Sequence, residues 1–309
     1  MSRQRLVHLS LVLLLLVFAA LPFFASAYYV RFFMLTFMYV SLASSWNIIS
    51  GYTGYVSFGH SAFFGLGAYT AALAIIHWKL HWLLASLLGA LLATLVSLPL
   101  GFILLRLRGP YFAISMLGLA AAFEIVAASW VEVTKGGSGL NLPPVLAIND
   151  IYYAMGATML VVIGLSYKLI TSPFGLRLLA IREDEQAASV MGINTTTHKV
   201  TAFALSAFFP GLVGGFYAWS LSYIDPNSVF RSILSVGMVI MTMFGGIGTV
   251  TGPIIGGVLL NILSELFWAR LPEFHQAAYG TLIILIVLAL PGGIISVMKT
   301  RGLAQGRGA

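Results

Sequence analysis

Thr171-Ser172-Pro173-Phe174-Gly175-Leu176-Arg177-Leu178-Leu179-Ala180-Ile181-Arg182-Glu183-Asp184-Glu185-Gln186-Ala187-Ala188-Ser189-Val190-Met191-Gly192-Ile193-Asn194-Thr195-Thr196-Thr197-His198-Lys199 is the one long polar stretch in the interior of the chain. Six of the 25 charged residues fall in it: Arg177, Arg182, Glu183, Asp184, Glu185 and Lys199. Two short helices fit. Ser172 can cap the first, with Pro173 at the first helical position, where its missing N–H is not needed. Asp184 can cap the second, and the acids beside it suit a positive helix N-terminus. Gly192 stops that helix with a residue that accepts positive φ. So small a helix-turn-helix cannot build its own core. It is read either as a solvated loop between spans or as a docking element for a cytoplasmic partner.

Everything on either side of 171–199 is apolar. The chain has 309 residues, 60% hydrophobic and 8% charged, against about 25% charged in soluble domains. The fold class is an all-α polytopic membrane protein, one transmembrane domain over 1–309. Span-length runs lie at 6–27, 29–49, 57–76, 82–105, 111–131, 151–170, 200–223, 233–250, 252–269 and 277–298, which predicts about ten helices. Ala25-Ser26-Ala27 resembles a small-residue cleavage site, but the first run is long for a signal peptide and is read as a retained span. With both termini in the cytoplasm, eleven of the 16 Lys and Arg residues fall inside and five outside. That satisfies the positive-inside rule and places 171–199 in the cytoplasm. The chain has no cysteine, which excludes disulfides, thiolate metal sites and a Cys nucleophile.

Two glycine-rich stretches interrupt the spans. Gly51-Tyr52-Thr53-Gly54-Tyr55-Val56-Ser57 and Gly245-Gly246-Ile247-Gly248-Thr249-Val250-Thr251 share the pattern G-x-x-G-x-V-[S/T]. Corresponding broken helices point to a substrate path at their interface; close packing through small residues is the plainer reading. Gly54 and Gly248 are expected where φ is positive or another backbone approaches closely.

Little else suggests chemistry. No phosphate loop and no H-E-x-x-H is present. His77 and His81 stand at i, i+4, but Trp78 and Trp82 beside them indicate an interfacial aromatic belt rather than a metal site. His60-Ser61 with Ser57 lacks the carboxylate partner a hydrolase needs. His60, Glu124 and Glu265 are ionisable groups inside spans, which marks them as functional candidates. Together they also suggest a proton relay, and so a proton-coupled secondary transporter as the rival class.

Four stretches resemble the permease subunit of bacterial ABC importers for branched-chain amino acids (LivM type). They are Ser45-Trp46-Asn47-Ile48-Ile49-Ser50-Gly51-Tyr52-Thr53-Gly54-Tyr55-Val56-Ser57-Phe58-Gly59-His60-Ser61-Ala62-Phe63-Phe64-Gly65-Leu66-Gly67-Ala68-Tyr69-Thr70; Gly109-Pro110-Tyr111-Phe112-Ala113-Ile114; Thr134-Lys135-Gly136-Gly137-Ser138-Gly139-Leu140, with Lys135 inserted; and Ser172 through Asn194, with Leu176 where Arg is usual. In the last, Gln186-Ala187-Ala188 and Gly192 resemble the E-A-A-x3-G pattern by which such permeases engage their ATPases, with Gln186 in place of Glu. The resemblance implies ATPase coupling through Arg182, Asp184, Glu185, Gln186, Ala187, Ala188, Met191 and Gly192. The translocation-path candidates are Asn47, Gly51, Gly54, Ser57, His60, Glu124, Gly245, Gly248 and Thr251. It implies a second homologous permease, two ATPase subunits that carry the ATP, a periplasmic substrate-binding protein and surrounding lipid, in a bacterial inner membrane. No nucleic acid, metal or bound cofactor is expected. The substrate reading is a branched-chain amino acid, with urea or another small amide or amino acid as the alternative.

Overall fold

The structure, a computed structural model, describes residues 16–144, 148–270, 280–281 and 293–295. Residues 16–24 are helical, and the helices that follow are α1 (Ala27–Thr53), α2 (His60–Trp78), α3 (Trp82–Leu104), α4 (Pro110–Ser129), α5 (Val131–Thr134), α6 (Ile148–Ile170), α7 (Pro173–Glu183), α8 (Glu185–Val190), α9 (Thr195–Leu221), α10 (Pro226–Val229), α11 (Ser232–Gly245) and α12 (Thr251–Arg270). Two short strands, β1 (Leu140–Asn141) and β2 (Tyr223–Ile224), pair antiparallel, Leu140 against Ile224.

Among the described residues, seven helical stretches are long and apolar enough to cross a membrane, α10 and α11 counting as one. In α12, Thr251–Phe267 is a shorter apolar helix. Eight of the ten expected runs thus coincide with helices. Of the run 6–27, residues 6–15 lie outside the described residues and 16–24 are helical; of the run 277–298, only 280–281 and 293–295 are described. Two boundaries differ from expectation for a local reason. The run at 57–76 becomes helical only at His60, and the run at 233–250 ends at Gly245 because Gly246 takes φ 134°, which no helix accepts.

The bundle is layered. Helices α1, α2 and α9 are the most buried, and α3, α4 and α6 line the outside. Lipid tails are as apolar as leucine, so helix contact here rests on close packing through small residues. A Cβ on Gly67 would collide with the backbone of Gly211, and one on Gly89 would lie 2.6 Å from the Gly67 carbonyl oxygen. Three helices, α2, α3 and α9, therefore touch backbone to backbone. Pro210 inside α9 lacks the N–H that would bond the Ser206 carbonyl. The hydroxyl of Ser45 on α1 donates to that carbonyl at 2.6 Å, so the freed acceptor is satisfied without water.

Candidate functional site

The polar stretch folds as its caps dictate. Ser172 Oγ accepts from the Gly175 N–H at 3.1 Å, and Asp184 Oδ1 accepts from Gln186 and Ala187 at 2.8 and 3.0 Å. Gly192 follows α8 with φ 84°. The two helices meet at Asp184, which ends α7 and starts α8 in an extended conformation.

This element grips the bundle at two points. First, Arg182 Nη1 donates to the Gly51 carbonyl at 2.8 Å, at the last turn of α1. Second, Glu185 turns inward. Lys199, at 4% exposure, donates to Glu185 Oε1 at 2.6 Å, to Tyr55 Oη at 2.8 Å and to the Leu105 carbonyl at 2.9 Å. All three ammonium protons are used. The Tyr55 hydroxyl donates in turn to Glu185 Oε2 at 2.7 Å, and the Lys199 ammonium lies 4.5 Å from the Tyr55 ring centre. Arg108 approaches the same carboxylate at 3.9 Å. Burial draws the Glu185 pKa up, but hydrogen bonds from Lys199 and Tyr55 and the nearby cationic charges outweigh it and leave it below the ordinary glutamate value. Both grips land on the same segment, Gly51 through Tyr55.

The two glycine-rich stretches, far apart in sequence, lie together. Asn47 Oδ1 accepts from the Gly248 N–H at 2.9 Å, and Asn47 Nδ2 donates to the Thr249 carbonyl at 2.9 Å. One amide thus clamps the second break to α1. A Cβ on Gly51 would collide with this amide and lie 3.0 Å from the Gly248 nitrogen. Gly54 and Gly248 have φ 79° and 76°, and the Arg182 side chain passes beside both. Gly245 and Gly252 press backbone against backbone, and Thr251 begins α12 on the exposed side of this bend. Asn47, Gly51, Gly54, Gly245, Gly248, Thr251 and Arg182 are therefore neighbours.

Of the remaining path candidates, Ser57 adjoins this cluster, its N–H donating to Ser50 Oγ at 3.2 Å, and His60 lies behind it. His60 is fully buried, its Nδ1 2.8 Å from Ser57 Oγ and its Nε2 3.1 Å from Ser206 Oγ. Trp46 Nε1 donates to the Ser57 carbonyl at 2.6 Å, so the turn between α1 and α2 is pinned from inside. Glu124 is half-buried on α4, and Glu265 bonds the Tyr28 hydroxyl on α1. The three ionisable groups have separate surroundings and no shared hydrogen bond among the described residues. No group of three metal-ligating side chains occurs among them either.

Facing within α8 differs from the sequence expectation in one respect. Ala188 was expected on the partner side with Ala187. It is 4% exposed, packed against its own chain, whereas Val190 and Met191 are 87% and 83% exposed and Ala187 is exposed too. The inward turn of Glu185 sets this rotation. Sequence reasoning also missed Tyr55, Lys199 and the Leu105 carbonyl. The available signal was a lysine standing immediately before an apolar span, with an acid in the preceding loop.

A family model described as branched-chain amino acid transport system / permease component matches residues 28–290. The high-affinity branched-chain amino acid transport system permease protein LivM of Salmonella typhimurium is 28% identical, covering 94% of this chain and 75% of its own length. LivM of Escherichia coli matches to the same extent. The permease protein LivH of Salmonella typhimurium is 26% identical over 83% of this chain and 91% of its own. No solved structure matches the chain.

Proposed function

The chain belongs to the family of branched-chain amino acid transport system permease components, and from that premise we propose that α7 and α8 couple it to an ATPase. It is the membrane-spanning subunit of an ATP-driven importer of branched-chain amino acids, a multi-pass protein of the bacterial inner membrane. ATP is hydrolysed on separate subunits. A second, homologous permease completes the membrane part, as the parallel similarity to LivM and LivH suggests, and a periplasmic binding protein delivers the substrate. The ten-span, single-domain arrangement with cytoplasmic termini adds the runs at 6–27 and 277–298 and puts α7 and α8 on the cytoplasmic side.

The observation that carries the coupling role is the double grip on Gly51–Tyr55. An ATPase seated on Val190, Met191 and Ala187 would push α7 and α8 as one body. Arg182 and Glu185 would pass that push to the first break, and Asn47 would pass it on to the second. Discrete, packed contacts of this kind transmit a rigid-body displacement. The substrate path is assigned to the region of these breaks; Glu124 stands apart from them on α4 and is assigned to the path at a separate point along its course. His60 and Ser57 serve it from inside, by holding the turn in shape. A proton relay is disfavoured by the separate surroundings of His60, Glu124 and Glu265.

The test is leucine uptake by the complete importer in proteoliposomes. Uptake that requires internal ATP and survives Glu124→Gln without change in its energy source supports this reading. Uptake that collapses with an uncoupler while ATP is held constant contradicts it.

A further inference from the structure

A cleft opens at the end of the bundle away from α7 and α8, between α1, α11 and α12. It has a volume of about 260 Å3, below the roughly 300–1,000 Å3 of drug-sized sites and so suited to a smaller solute. Its apolar wall is Met38, Phe64, Leu234, Met241 and Leu260. Its polar side carries Arg231, Ser228, Asn261 and Ser264. An adjoining lobe shares Tyr39, Asn261 and Ser264 with it and adds Arg31, Glu265 and Tyr28. Arg31 and Arg231 both stand within electrostatic reach of the Tyr217 hydroxyl, and neither forms an ion pair with a described residue. Two guanidiniums with a carboxylate nearby, around an apolar recess, make a site of mixed charge.

We propose that this cleft docks the amino acid itself before it reaches the glycine breaks. Arg231 and Arg31 take the α-carboxylate, Glu265 takes the ammonium, and the branched chain lies against Met38, Leu234 and Met241. This rests on the importer reading given above. Guanidinium suits carboxylate because its planar fork matches the two oxygens. The phosphate of an anionic lipid offers the same chemistry, and the test separates the two sources.

The chain is assembled with its partner permease in phosphatidylcholine vesicles, and binding of labelled leucine is measured. 4-Methylpentanoate and 3-methylbutylamine, which lack the ammonium and the carboxylate, serve as competitors. The amine is expected to compete far more weakly than leucine. Arg231→Gln is expected to weaken leucine binding by about tenfold or more, the scale of a lost charge-assisted hydrogen bond. Gly237 lines the cleft, and a Cβ there meets no atom within 4 Å. Gly237→Leu is therefore expected to preserve assembly and ATPase association while blocking leucine. Leucine binding unchanged in both variants, or equal competition by the amine, overturns the site. If adding phosphatidylglycerol displaces nothing, yet Arg231→Gln loses bound phosphatidylglycerol and keeps leucine, the arginines belong to lipid and the proposal fails. An assembled importer that moves no branched-chain amino acid overturns the importer reading itself. One that moves leucine normally in both variants overturns this inference alone.

Discussion

Lys199 is a buried ammonium whose three protons all find acceptors, and the acceptor that matters is Glu185. Removing one partner of a buried pair leaves the other charge uncompensated. Glu185 itself is only half-buried, so Glu185→Gln is expected to destabilise the protein by about 1–3 kcal/mol, read as a lower thermal midpoint of the detergent-purified permease. Glu183 is exposed, and Glu183→Ala is expected to shift stability by no more than about 0.5 kcal/mol. The pH dependence follows from the depressed Glu185 pKa. A carboxylate with a lowered folded-state pKa contributes stability that is present above its unfolded value and lost as pH falls through the folded value. The contact should hold through neutral and mildly acidic pH, and thermal midpoints should drop only below the ordinary glutamate range. At Gly51, any side chain displaces the Asn47 amide from Gly248. Gly51→Ala is expected to remove uptake while leaving ATPase association intact, measured by co-purification beside transport.

The elements α7 and α8 show what a sequence reveals and what it withholds. Their ends were legible because caps act within a few residues: Ser172, Asp184 and Gly192 each sit where local chemistry puts them. The facing of α8 was not legible, because a six-residue helix has its rotation set by distant partners, here Tyr55 and Lys199. For the same reason the meeting of the two glycine breaks was visible only as a shared pattern, and the Asn47 amide that joins them was not. The corrected facing moves the partner surface. Met191→Asp, on an 83% exposed residue, is expected to leave the permease inserted and folded but to release the ATPase on purification. Ala188→Arg is expected to act differently, by forcing a charge into the chain's own packing and lowering the amount of folded permease in the membrane. Retained ATPase with Met191→Asp would remove α8 from the interface.

Across the whole molecule, the membrane class and eight of the ten helical runs followed from composition and run length, since the bilayer sets the length of any element that crosses it. Orientation rests on the placement of Lys and Arg. Alkaline phosphatase fused after Lys135 is expected to be active, and after Glu183 inactive; the reverse pattern would invert the topology. The central claim is that α7 and α8 drive the glycine breaks through their grip on Gly51–Tyr55. The double variant Glu185→Leu, Lys199→Met removes the polar latch without leaving either charge buried and unpaired, so the fold is expected to survive. The most direct measurement is leucine transported per ATP hydrolysed by that variant, assembled with its partners in proteoliposomes. The account predicts normal ATPase association and continued hydrolysis, with transport per ATP falling about tenfold or more, the scale expected when a transmission contact of about 1.4 kcal/mol or more is lost. An unchanged ratio of transport to hydrolysis would contradict it.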